Sequence, residues 1–187
     1  MKIVITAAGK GTRLLPFTKE IPKEMTPVFS KINSKNHTVR PILEIIYEQL
    51  YSAGGRDFTI IIDKKKDLIK RYFTMDKKFL KNLDNKQTKN ISKFYNHLKN
   101  SKVNWVYQKK ALGFGDAVRI SEKYVKDEDF IVHAGDAYIL TNGIHPISKL
   151  ISTAKKDPEI SAVLLCKKVV DSKRYGVPEI GSNKKNY

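Results

Sequence analysis

The sequence predicts an α/β protein whose mostly parallel sheet is covered by helices on both faces. Three observations carry that expectation. Short apolar or β-branched runs of strand length recur along the chain, patterns with apolar residues at helical spacing separate them, and the intervals suit the long crossovers that parallel neighbours need. The 187 residues suffice for one domain that buries about 70% of its unfolded surface. A composition of 41% hydrophobic and 29% charged residues supports a real core and excludes a largely disordered chain.

Taken in order, strands are expected at Lys2–Thr6, Asp57–Asp63, Val103–Gln108, Asp129–His133 and Ile160–Lys167. Between them, Pro41–Leu50 places a proline at a helix start and apolar residues at helical spacing, and Gly54-Gly55 stops the pattern. Further helices are expected over Asp67–Phe73, Lys89–Lys99, Gly115–Tyr124 and Pro146–Ala154. The lysine- and asparagine-rich stretch 74–100 reads as a peripheral helical insertion in a single domain spanning 1–187, and no internal repeat is visible. Ligands on such sheets bind beyond the carboxyl ends of the strands, which directs attention to the residues after Thr6, Asp63, Gln108 and His133.

The formal charge is +17, but the lysines are spread along the whole chain. Lys64-Lys65-Lys66 and Lys77-Lys78 read as solvated residues at helix starts, so a nucleic-acid partner is the less favoured reading; the charge would still steer a polyanionic small molecule inward. The single cysteine, Cys166, has no internal disulfide partner, and the N-terminus enters a strand without a charged leader and apolar run. The expected compartment is the cytoplasm. No apolar stretch approaches the roughly eighteen residues of a membrane helix, so no membrane association is expected.

The first strand runs into AAGKGTRLLPFTKEIPKE instead of into a helix. The dinucleotide fingerprint fails here: Leu14 stands at the third glycine position, Pro16 and Pro22 interrupt any helix, and no acidic residue ends a second strand about twenty positions on. No Gly-Lys-Ser/Thr closes a Walker A loop either. What remains is a long, rigid, basic segment. Gly9 and Gly11 allow close backbone approach and present N–H groups to phosphate oxygens, Arg13 offers a planar fork of donors and Thr12 a hydroxyl, while prolines 16, 22 and 27 fix φ. This suits a preformed cradle for a triphosphate.

The run Ala8-Gly9-x-Gly11-Thr12-Arg13-x-x-Pro16-x-Thr18-Lys19-x-x-Pro22-Lys23-Glu24-Met25-x-Pro27 resembles the signature of the sugar-phosphate nucleotidyltransferases, and Thr-Lys-x-x-Pro-Lys-Glu-Met resembles the UTP:glucose-1-phosphate uridylyltransferase branch. Gln108 with Ala111–Val118, His133-Ala134-Gly135-Asp136 and Arg174-Tyr175-Gly176-Val177 agree in order and spacing, so the resemblance spans nearly the whole chain. It implies a Rossmann-like sheet of the nucleotide-diphospho-sugar transferase type. The implied reaction is Mg²⁺-dependent attack of glucose 1-phosphate on the α-phosphorus of UTP, giving UDP-glucose and pyrophosphate. Two anions must meet, so the protein's task is to cancel repulsion and hold an in-line geometry.

The resemblance implies roles for individual residues. Arg13, with the backbone donors of Gly11 and Thr12, would take the leaving pyrophosphate; Lys23 would bridge the α-phosphate and the sugar phosphate. Gln108 would read the uracil edge, since an amide both donates and accepts. Gly113 would lie against the base, Ala8 and Gly9 beneath base and ribose, and Gly176 against the sugar ring. Asp136 would be the Mg²⁺ ligand, while His133 reads as a strand residue because hard Mg²⁺ prefers oxygen. The partners implied are UTP and glucose 1-phosphate, with a homo-oligomer left open.

Two departures qualify the match. SKINSKNHTVR, residues 30–40, is longer than in the bacterial form and puts Arg40 where a lysine often precedes the proline, a pattern resembling archaeal-type members. Family members also continue well past the Tyr-Gly segment, with a Glu-Lys-Pro segment for the sugar and a later aspartate for the metal. The resemblance therefore implies a sheet incomplete at the C-terminus and weak or absent turnover by this chain alone. Alternatives are a thymidylyltransferase using dTTP, a non-catalytic nucleotide-binding module, and a basic nucleic-acid binder.

Overall fold

The computed structural model describes residues 1–31, 37–141, 143–173 and 175–179. It divides into two compact units, Met1–Ile139 and Leu140–Tyr187. The first unit opens with β1 (Lys2–Ala7), three 3₁₀ turns (Thr12–Leu14, Phe17–Lys19, Lys23–Met25), β2 (Pro27–Lys31), β3 (His37–Pro41) and α1 (Ile42–Ser52). It continues with β4 (Asp57–Ile62), a fourth 3₁₀ turn (Lys64–Lys66), α2 (Asp67–Tyr72), α3 (Lys77–Lys81) and α4 (Asn85–Lys99), then β5 (Lys102–Tyr107), α5 (Phe114–Arg119), α6 (Glu122–Val125) and β6 (Phe130–Ala134). In the second unit the described helix is α7 (Pro146–Ala154).

Four of the five expected strands form one parallel sheet in the order β5-β4-β1-β6. Ile5 faces Ile60 on one side and His133 on the other, and Ile60 faces Trp105. Alternation along each strand fills both faces. On one, Val4, Ile61, Val106 and Val132 meet Ala117 and Ile120 of the α5 region and Val125 of α6. On the other, Tyr47 of α1 packs its ring 4.6 Å from Phe58 and edge-on to Phe73 and Phe94 at 5.5 and 5.9 Å. Phe73 meets Trp105 at 5.9 Å. Phe94 belongs to α4, which starts in a capping box: Asp84 Oδ1 accepts from Gln87 N at 2.7 Å and Gln87 Oε1 accepts from Asp84 N at 3.0 Å. The lysine-rich stretch thus has an apolar root in the core.

Several sequence expectations are corrected. Ile160–Lys167 forms no strand; its β-branched pattern is present, but a strand exists only where a neighbour supplies the ladder, and its own unit contains no other strand among the described residues. The stretch expected as helix over Gly115–Tyr124 is two short helices broken at Ser121, whose hydroxyl donates to Val118 O at 2.6 Å. Part of the long segment before α1 is an antiparallel hairpin with Phe29 opposite Val39. Arg40 ties it to α1: Nε donates to Ser30 Oγ at 2.7 Å and Nη1 to Glu48 Oε2 at 2.5 Å and Glu44 Oε1 at 3.4 Å. Burial pushes the Glu44 carboxyl up, opposed by the Tyr72 hydroxyl that donates to it. Residues 32–36 of the lengthened segment lie outside the described residues.

Phe94 is 3% exposed at the centre of the aromatic cluster. Phe94→Ala is expected to destabilise the protein by about 3–5 kcal/mol, read from the shift of a urea unfolding midpoint followed by circular dichroism.

Candidate functional site

The strand order places the reversal of chain direction across the sheet between β1 and β6, because the crossovers from β1 through β4 to β5 run one way and that to β6 runs the other. The carboxyl ends of these two strands flank the crevice where α/β sheets bind ligands. The sequence delivers unusual residues there. After β1 come Ala8, buried, and Gly9, exposed. Gly11 has φ +70°, a left-handed conformation open to glycine, and starts the first 3₁₀ turn; its carbonyl accepts from Thr18 Oγ1 at 2.8 Å and from Leu14 N at 2.9 Å. A β-carbon at Gly11 would come within 3.0 Å of Thr18 Cγ2. Thr12 and Arg13 are exposed on that turn, and Arg13 makes no ion pair among the described residues.

Lys23 opens the third 3₁₀ turn, closed by Met25 N to Pro22 O at 2.8 Å and by Thr26, whose hydroxyl donates to Lys23 O at 2.7 Å. Its ammonium reaches Asp136 Oδ2 at 2.6 Å, across 113 positions of sequence. The same side chain lies over Gly9, where a β-carbon would stand 3.4 Å from Nζ. Asp136 is set by Gly135, which follows β6 and is buried against β1: its N–H donates to Thr6 O at 2.9 Å, and a β-carbon would meet Ala7 Cβ and Thr6 O at 3.2 Å and Glu24 Cγ at 3.3 Å. The structure therefore brings Gly9, Lys23 and Asp136 together at the switch point.

Gln108 follows β5 and is buried. Its Nε2 donates to Asp116 Oδ2 at 2.9 Å and to Gly113 O at 3.2 Å. Gly113, with φ +106°, precedes α5. Hydrogen bonds from Gln108 and then from Arg119 hold the Asp116 carboxyl below its usual range. His133, expected as a strand residue, is in β6 and buried. Gly176 lies in the second unit, and Arg174 of the same segment lies outside the described residues.

One residue of the site floor was misread from the sequence. Lys64 and Lys65 are exposed as expected, but Lys66 is 8% exposed. Its Nζ donates at 2.8 Å to both carboxylate oxygens of Glu24, which is fully buried, and at 2.8 Å to Ala7 O. Burial pushes Glu24 up and Lys66 down, and each is held against that by the other. The available signal was Glu24 itself, a carboxylate inside a basic motif that needs a cationic partner if buried.

A parallel sheet with helices on both faces, a glycine-bearing basic loop after its first strand and a lysine–carboxylate pair at its switch point define an α/β protein with its ligand edge at that crevice. The chain belongs to the nucleotidyl transferase family, whose description matches residues 2–186. A relative from Methanocaldococcus jannaschii is 33% identical over 149 residues, covering 79% of this chain and 50% of its own. The UTP–glucose-1-phosphate uridylyltransferase of Bacillus subtilis is 34% identical over 136 residues, covering 72% and 44%. Among solved structures, a UTP-bound UGPase from Acinetobacter baumannii matches with a TM-score of 0.72 at 27% identity, covering 84% of this chain and 53% of that one. The chain spans about half the length of the curated relatives it matches.

Removing one partner of a buried ion pair strands the other charge. Lys66→Met is expected to cost about 3–5 kcal/mol of stability, and the double variant E24M/K66M to recover most of it; urea unfolding of both variants beside the parent checks this.

Proposed function

We propose that this chain carries the nucleotide site of a sugar-phosphate nucleotidyltransferase, with UTP as nucleotide and glucose 1-phosphate as acceptor. The observation that carries the reading is the meeting of Lys23 and Asp136 over Gly9 at the switch point. Relatives whose names state UTP–glucose-1-phosphate uridylyltransferase activity, and a structure with UTP bound, support the choice of nucleotide and acceptor. In this reaction an oxygen of the sugar phosphate attacks the α-phosphorus of UTP. The bond from that phosphorus to the bridging oxygen of the β-phosphate breaks, and its electron pair leaves with pyrophosphate. The acceptor oxygen is already deprotonated at neutral pH, so no general base is called for, and the site's work is to hold two anions together.

The residues divide that work by position. Arg13, exposed on the first turn, takes the leaving pyrophosphate with the N–H groups of Gly11 and Thr12. Lys23, a compact charge on a flexible stem, follows the phosphate that is transferred. To do so it leaves Asp136, so phosphate oxygens replace the carboxylate as its partner. Ala8 and Gly9 lie beneath base and ribose. Gln108 is oriented by the donation of its Nε2 to the Asp116 carboxylate, which leaves Oε1 to accept the N3–H of a pyrimidine. Thymine shares that N3–H, so competition between UTP and dTTP decides between them.

The donor set fits Mg²⁺. Asp136 presents a hard carboxylate oxygen beside the lysine, and Mg²⁺ takes one or two carboxylates and fills its octahedron with phosphate oxygens and water. Among the described residues no group of three or more His, Cys, Asp or Glu side chains stands together, so substrate and water would complete the shell around Asp136. Mg²⁺ held at Asp136 would supply positive charge that offsets the negative charge of the phosphates.

Hydrogen bonds to charged groups are worth about 1.5–3 kcal/mol each. Arg13→Ala is therefore expected to weaken UTP binding by about ten- to a hundredfold, measured by calorimetry with Mg²⁺ present. Unchanged affinity would remove Arg13 from the polyphosphate. Asp136→Asn is expected to lose most of the Mg²⁺ dependence of that binding, whereas a retained dependence would move the metal elsewhere. Release of pyrophosphate from UTP and glucose 1-phosphate tests the transfer itself.

A further inference from the structure

We infer that Lys66 is a positioning residue: by holding Glu24 it fixes where Lys23 stands in the crevice, a role whose catalytic consequence rests on the function proposed above. Lys66 is not itself a ligand for phosphate. An ammonium has three hydrogens, and here three acceptors at 2.8 Å take them: Glu24 Oε1, Glu24 Oε2 and Ala7 O. No donor is left for a substrate, and the side chain is buried.

Those acceptors belong to different segments of the site. Ala7 ends β1 and leads directly into Ala8 and Gly9. Glu24 is the central residue of the turn that begins with Lys23. Lys66 itself ends the turn that follows β4. One nitrogen thus joins the carboxyl ends of two strands to the turn carrying Lys23. The turn is short and internally bonded, so a shift of Glu24 is passed to its neighbour Lys23. Glu24 also stands against Gly135, the residue before Asp136, close enough that a β-carbon there would lie 3.3 Å from Glu24 Cγ. Both members of the Lys23–Asp136 pair therefore take their spacing from the Glu24 side chain.

Stability alone does not account for the pair. A buried ion pair generally gives no more stability than apolar side chains of similar volume, because desolvation offsets the attraction. What an apolar pair lacks is direction: it keeps distance without fixing orientation, whereas three converging hydrogen bonds fix both.

The test uses E24M/K66M, which removes both charges together, and K66R, which keeps the charge but replaces three converging donors with a planar fork. Circular dichroism identifies which of them folds. In the ligand-free protein, an amine-acylating ester is applied and the modification rate of Lys23 is read by peptide mass spectrometry against exposed Lys155. The Lys23 rate relative to Lys155 is expected to rise at least threefold in the folded variants; an unchanged ratio overturns the inference. With Mg²⁺ and UTP, the affinities of K23A, E24M/K66M and the triple variant are compared. If Lys66 acts through Lys23, the losses are non-additive and the triple variant binds no more weakly than K23A; additive losses overturn the inference. Should the unmodified protein bind no UTP, the proposed function falls, and the acylation ratio still decides the role of Lys66.

Discussion

The architecture of the candidate site depends on one buried contact, the grip of Lys66 on Glu24 and on the carbonyl of Ala7. A carboxylate excluded from solvent is costly unless it is both paired and hydrogen-bonded, and here one ammonium meets both demands. The surrounding backbone has adapted to it. The chain after β1 is held by three 3₁₀ turns where a crossover helix would ordinarily pack, and the third of them turns Glu24 inward while Lys23 stays at the crevice. The result is a site whose outer charges, Lys23 and Asp136, are partly exposed over inner charges that are not.

For the function proposed above, this layering reconciles two demands that usually conflict. A site for anions needs positive charge that can move toward its ligand, and a lysine near solvent supplies it. A site for an in-line reaction also needs that charge to start from a defined place, and ordering a long side chain opposes its entropy. In this fold the defined place comes from the inner pair, and the freedom comes from the four-carbon stem of Lys23. The sheet contributes the rest, since β1 and β6 run side by side with Thr6 opposite Ala134 and deliver their following residues to the same edge.

Much of this was legible in the sequence, for reasons that differ from residue to residue. Strand periodicity is a local property, so β1, β4, β5 and β6 could be placed from their apolar runs, and the edge rule then pointed to the segments that follow them. The segment after β1 stood out because two glycines, an arginine and three prolines keep it irregular, basic and rigid over a length where a helix would ordinarily form. Lys66 did not, because three consecutive lysines look alike until the fold shows which one meets a glutamate 42 positions earlier. The hairpin of β2 and β3 was missed because its strands carry lysine, serine, histidine and arginine instead of an apolar alternation. Ile160–Lys167 misled in the opposite sense: its composition is that of a strand, but composition does not supply the neighbouring ladder.

The adjacency of β1 and β6 has a consequence for the order in which the molecule can be completed. These strands lie next to each other in space but are the first and the last in sequence of the four described strands of the sheet. A chain emerging from a ribosome therefore exposes its basic glycine loop long before the carboxylate that faces it has been synthesised. The docking of Phe130–Ala134 at the flank of Lys2–Ala7 is also the event that brings Asp136 to the crevice, so closure of this strand pair and assembly of the ion pair coincide in one step.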